Sequence, residues 1–235
     1  MSTAAAKIRF DKSGYYFIGL IALVLAGFWR SYFYRFFAGT NNYSFYFHFH
    51  AVMMSLWVVI LIVQPLLIRK KKLALHRLIG KASYVIMPVL LISVVLILNA
   101  GQKALPKDQQ VFSNIIFPVR DLFILAAAFT IGTLYRRDIN IHARAMVVTG
   151  IVFVEPTLAR FLGHLWGQVG GLITMVTVLA IFITLIVIER KQKKARWIFP
   201  SVMALFVIVY TLLILQVNMS VFDPFVRWFA GLPLT

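Results

Sequence analysis

The chain has 235 residues, 61% of them hydrophobic and 15% aromatic, with a mean hydropathy of +0.88 and a formal net charge of +17. Soluble domains carry roughly 45–50% apolar residues, and no polar stretch here is long enough to build its own core, which excludes a water-soluble domain and leaves one integral membrane domain over 1–235. The basic residues sit in short tracts between apolar runs, not on one polar face, so their partner is a lipid bilayer and not a nucleic acid.

Crossing a hydrocarbon layer of about 30 Å takes about 20 apolar residues. Seven segments qualify, at approximately 13–36, 44–68, 77–99, 112–135, 142–164, 170–189 and 197–217, predicting an all-α bundle of about seven transmembrane helices. The first is too long for a signal-peptide core and lacks an A-x-A cleavage site, so it is expected to be retained. Seventeen of the 24 lysines and arginines fall in the N-terminal tail and the connections near 69–81, 136–144 and 190–196. The positive-inside rule then places the N-terminus in the cytoplasm and, after seven crossings, the C-terminus outside. Beyond the last span, FDPFVRWFAGLP offers Asp223 as N-cap, Pro224 at the first helical position and Gly231 as a stop. Phe222, Phe225, Val226 and Phe229 recur there at helical spacing, predicting a short interfacial helix on the outer surface.

Helices two to five each carry a proline, Pro65, Pro88, Pro118 and Pro156, and each proline removes a backbone donor. In lipid such breaks need neighbouring groups to satisfy the freed carbonyls, which marks residues 44–165 as the candidate functional core. Gly163, Gly167 and Gly171 repeat every four residues beside Gly170 and predict close helix contact.

Ionisable residues within spans are costly and rare, and here they form two layers. At the cytoplasmic end lie His76, Arg77, His142 and Arg144; towards the outside lie Arg30, His48, His50, Arg120, Asp121, Glu155, Arg160 and His164. On the fifth helix His142, Met146, Thr149, Phe153, Arg160 and His164 form one stripe, with Glu155 directed away unless Pro156 bends the axis. On the second, His50 shares a face with Met54, Trp57 and Gln64. Arg120 or Arg160 can neutralise Asp121 or Glu155. That outer set reads equally as an ion-pair network that only packs helices, or as a site for a small ligand or a proton.

Zero cysteines exclude disulfides and thiolate ligation, leaving histidine as the main ligand type. His76 and His142 fall at the same depth on helices three and five, as a two-histidine haem or transition-metal site requires, with His50 a further candidate metal ligand. Arg77 and Arg144 beside them suit haem propionates or lipid phosphates. The alternative is that both are interfacial histidines at the headgroup boundary.

The succession of His50, QPLL at Gln64–Leu67, HRLIGKASY at His76–Tyr84, IHARAM at Ile141–Met146 and Arg160 resembles a family of uncharacterised bacterial multi-pass membrane proteins, a domain of unknown function. Its pattern is H…Q-P…H-R-x-x-G…H-x-R-x-M…R, and the likeness covers approximately residues 44–165. The matching positions are His50, Gln64, His76, Arg77, Gly80, His142, Arg144, Met146 and Arg160. The resemblance implies a location in the bacterial inner membrane and carries no established activity. A more distant similarity, in histidines on neighbouring helices, points to b-type cytochromes and membrane proteins that assist oxidase assembly. The fourth helix here has no histidine, so that likeness implies one haem or one metal at most.

Three functions therefore stand as expectations: haem or metal binding for electron transfer or cofactor handling, with a membrane redox or assembly partner; a transporter or sensor using Arg30, Arg120, Asp121, Glu155 and Arg160; or a structural membrane subunit. Because the chain has no cysteine, single cysteines report orientation directly. In intact cells Lys107→Cys should react with a membrane-impermeant thiol reagent and Lys71→Cys only after permeabilisation; the reverse pattern would invert the topology.

Overall fold

A backbone inside hydrocarbon must satisfy its own hydrogen bonds, and each apolar run folds as helix. The computed structural model describes residues 10–192 and 194–235. Lys7, Arg9 and Lys193, three members of the cytoplasmic charge count, lie outside the described residues. Six helices have the length and hydropathy to cross a membrane: α1 Ser13–Phe37, α2 Phe45–Arg69, α3 Leu73–Lys103, α4 Ile116–Leu134, α5 Ile139–Trp166 and α6 Gln168–Glu189. A seventh apolar helix, α7 Ile198–Ile214, has 17 residues, at the short end for a crossing. The short α8, Asp223–Gly231, completes an all-α bundle with no strand among the described residues.

Short connections make successive helices antiparallel neighbours. α2 packs along α3; the first half of α5, Ile139–Ile151, packs on α4; its second half, Val154–Trp166, packs on α1 and α6; and α7 closes against α4, α5 and α6. Trp57, Met87, Leu90, Val148, Val178, Phe182 and Phe206 fill the core. On α6 the two faces separate cleanly. Thr174, Val178 and Phe182 are buried, whereas Leu172, Val176, Ile183 and Val187 face outward as a lipid-contacting surface.

The prolines act in two ways. Pro65 and Pro88 lie inside α2 and α3. Pro118 instead occupies the third position of α4, where a backbone N–H has no intrahelical acceptor to lose, so the expectation of four interrupted helix interiors is corrected to three; Pro156 is likewise third in its own segment, Val154–Trp166. α5 is nevertheless broken: its bonds tighten at Phe153 N–H to Gly150 O, 3.2 Å, and the helix restarts at Val154, because Pro156 has no N–H to return to Val152.

Two other expectations are corrected. Asp223 is the first residue of α8 and caps nothing within it; its carboxylate accepts from Phe112 N–H at 2.8 Å and ties α8 to the α3–α4 connection. Fully buried Asn99 of α3 donates to Phe229 O at 2.6 Å and accepts from the Thr235 hydroxyl at 2.8 Å. Val226 and Ala230 face inward, while Phe225 and Trp228 face outward, as an interfacial helix requires. Nor does the four-residue glycine repeat pack as a set. Gly163 and Gly171 face open space, Gly167 turns the α5–α6 connection at φ +55°, and Gly170 is the one whose Cβ would fall 2.4 Å from the Leu162 backbone.

Gly27 of α1 meets α5 in the same way, its Cβ position lying 2.4 Å from Thr157 O. Gly27→Ala and Gly170→Ala should each destabilise the detergent-solubilised protein by about 1–3 kcal/mol through overpacking. Gly163→Ala should stay within about 0.5 kcal/mol. Denaturant unfolding followed by circular dichroism checks all three.

Candidate functional site

At the cation-rich end, His76 and His142 are each the fourth residue of a helix, α3 and α5. The His76 N–H donates to Lys72 O at 3.0 Å and the His142 N–H to Asp138 O at 2.9 Å, so both rings leave a first helical turn. The Asp138 carboxylate caps α5 by accepting from Asn140 N–H at 2.9 Å, and that bond holds its carboxyl below the usual carboxylate range. The two imidazoles lie close enough for their charges to interact. The helices that carry them are linked through α2 and α4, since α2 packs on α3 and on the first half of α5, and α4 packs on both as well.

His142 Nδ1–H donates to Gly132 O at 2.8 Å, which fixes the tautomer and leaves Nε2 with a free lone pair. Gly132 permits this because any Cβ there would strike Met146 and Ala145, so α4 and α5 approach closely. His76 Nδ1 is buried without a hydrogen-bond partner. Gln64 of α2 donates through Nε2 to His76 O at 3.2 Å, and its Oε1 is likewise buried and unpartnered. Gly80 lies beside that amide, a Cβ there standing 3.8 Å from Gln64 Nε2.

The two arginines next to these histidines diverge. Arg77 is exposed and donates only to Leu73 O, at 3.3 Å. Arg144 is 1% exposed: its Nε–H donates to Glu189 Oε2 at 2.7 Å, its Nη2 lies 2.7 Å from Oε1, and its Nη1 donates to Asn140 O at 2.6 Å. Arg144 is therefore consumed inside the bundle. Sequence reasoning missed Glu189; the available signal was a carboxylate ending an otherwise uncharged 22-residue helix.

The outer layer holds a second buried cluster. Arg120 donates from Nε and Nη2 to Asp121 Oδ1 at 2.9 and 2.7 Å, and Nη2 also pairs with Glu155 Oε2. Its guanidinium lies 3.9 Å from the centre of the Phe206 ring, a desolvated cation–π contact. The break in α5 turns Glu155 inward, against the direction an ideal helix gives. Tyr210 of α7, also missed by sequence reasoning, is buried beside this cluster.

Arg160 takes no part; it donates to Pro156 O at 2.9 Å and lies 4.7 Å over the Phe28 ring. Arg30 occupies the π-helical turn Trp29–Phe33 of α1. Neither has a carboxylate partner among the described residues. His48 Nδ1 meets the Tyr32 hydroxyl at 2.7 Å, and His164 is exposed. The Ser93 hydroxyl donates to Leu90 O at 2.6 Å, so its oxygen accepts from His50 Nδ1–H at 3.2 Å. Ser93 lies about 25 Å along α3 from His76, so His50 is not brought to the inner pair. No three histidine, cysteine or acidic side chains among the described residues are placed to hold a metal ion. The stripe on α5 likewise contacts different helices in turn: Gly132 of α4 at His142, Trp57 of α2 at Thr149, and Phe28 of α1 at Arg160.

The chain is a multi-pass helical membrane protein with a two-histidine constellation at its basic end and a buried Arg–Asp–Glu cluster near the other. No protein-family model, curated protein or solved structure matches it.

Removing one partner of a buried pair strands a charge. Arg144→Met or Glu189→Gln should each cost about 3–5 kcal/mol, and the double change to methionines less than the sum. Unfolding free energies in a thermodynamic cycle test this.

Proposed function

We propose that the protein binds one haem b through His76 and His142 and serves electron transfer or cofactor handling, with a redox or assembly partner, in the bacterial cytoplasmic membrane. The observation that carries this reading is the pair itself: two imidazoles on the first turns of α3 and α5, one with Nδ1 pinned to a carbonyl and the other with a buried, unpartnered Nδ1. The donor set selects among cofactors. A bare transition metal takes three or four protein ligands, whereas haem iron, already held by its macrocycle, would take only one or two protein side chains. Two histidines with no third partner fit haem better.

When bound, the haem supplies a one-electron carrier. The protein's own contribution is to fix the imidazoles on the first turns of α3 and α5 and to hold the His142 tautomer through Gly132; exposed Arg77 would be the residue to neutralise a propionate. The cation-rich connections orient this end to the cytoplasm.

A second reading, a transporter or sensor for an anionic ligand, is favoured by Arg30 and Arg160, which have no carboxylate partner among the described residues. The two readings separate on purification after haem-replete expression. Oxidised and dithionite-reduced spectra should show a Soret band that sharpens on reduction, lost in His76→Ala and in His142→Ala and retained in His50→Ala. Full haem retention in both inner mutants would reject the ligand assignment, and a colourless protein stabilised by a small anion would favour the second reading.

A further inference from the structure

We propose that Asp121 and Glu155 together bind one proton in the outer half of the bundle, held across the Arg120 guanidinium. The argument is a charge count inside low dielectric. α4 supplies one cation and one carboxylate, α5 supplies a second carboxylate, and α7 supplies only the neutral phenol of Tyr210. α1, α3 and α6 add no ion-pair partner to the cluster among the described residues, and Arg160 of α5 turns to the Phe28 ring of α1 instead. Arg120 is 6% exposed and Glu155 7%, so water does not screen the excess negative charge that two ionised carboxylates would leave. Two carboxylates that share a site do not both ionise freely; one proton then belongs to the pair.

The hydrogen bonds have room for it. Both Arg120–Asp121 bonds end on Asp121 Oδ1, leaving Oδ2 outside the guanidinium fork. Two further buried polar atoms point to a built polar site: Arg120 Nη1 and the Tyr210 hydroxyl, whose ring lies 5.7 Å from the same guanidinium, each lack a hydrogen-bond partner among the described residues. Both residues are more than nine-tenths buried. The Asp121 side chain is 18% exposed against 9% for Glu155, so Asp121 is the less enclosed of the two carboxylates. The Arg144–Glu189 pair is an internal contrast, since one cation and one carboxylate are neutral without a proton.

The test is infrared spectroscopy of the full chain in liposomes at neutral pH, in H2O and in D2O. The wild type should show a carboxylic-acid carbonyl band, separate from the carboxylate region, that shifts on deuteration. Asp121→Asn and Glu155→Gln should each abolish it, because either change leaves a neutral one-to-one pair with Arg120. Absence of the band in the wild type, which needs no variant to fold, would overturn the proposal, as would its persistence in both variants. A band present in sodium-free buffer but removed by sodium would make this a cation site instead.

Discussion

In hydrocarbon a charge is tolerated only when a partner within the protein compensates it, and this chain has 24 cationic side chains but seven carboxylates with which to do so. The three carboxylates within its spans all go to arginines: Glu189 to Arg144, and Asp121 and Glu155 to Arg120. Those choices organise the bundle around α5. Its inner half is bound to α6 through Arg144 and its outer half to α4 through Glu155, and the interruption before Pro156 lets one helix face two directions. Among the described residues, Arg69 and Arg160 are laid over the Tyr15 and Phe28 rings.

Against that background the inner histidines stand out by what they lack. His48 and His50 spend a ring nitrogen on Tyr32 and Ser93, and His142 spends one on Gly132. His76 Nδ1 and the neighbouring Gln64 Oε1 are buried with no partner. Leaving such atoms unpaired costs about 1–3 kcal/mol each, and a native structure keeps them for a reason. Both atoms belong to one local arrangement, since the Gln64 amide donates to His76 O at 3.2 Å.

The spans were legible in the amino-acid order because a helix must carry about 20 apolar residues through the bilayer, and α8 was legible from Pro224 and Gly231. Partners were not. The pairing of Arg144 with Glu189 joins residues 45 apart whose facing depends on how α5 and α6 rotate, and no single-sequence pattern records rotation. The glycine repeat shows the same limit. Period four says that glycines share a face, but only the turn at Gly167 decides that Gly170, not Gly163 or Gly171, meets backbone. The expected grouping of Arg77 and Arg144 divided because position in a first turn sets depth and says nothing about whether a guanidinium points to the headgroups or to a buried carboxylate.

The two layers thus have different physical characters. The outer one is dense with charge and closed on itself through Arg120, while the inner one presents imidazole nitrogens, with Nδ1 of His142 bonded to Gly132 O and Nδ1 of His76 unpartnered. Low-temperature electron paramagnetic resonance of the oxidised, purified protein tests the inner assignment most directly. The account predicts the low-spin ferric signal of two imidazole ligands on one iron; a high-spin signal, or one from a single-histidine ligand set, would contradict it.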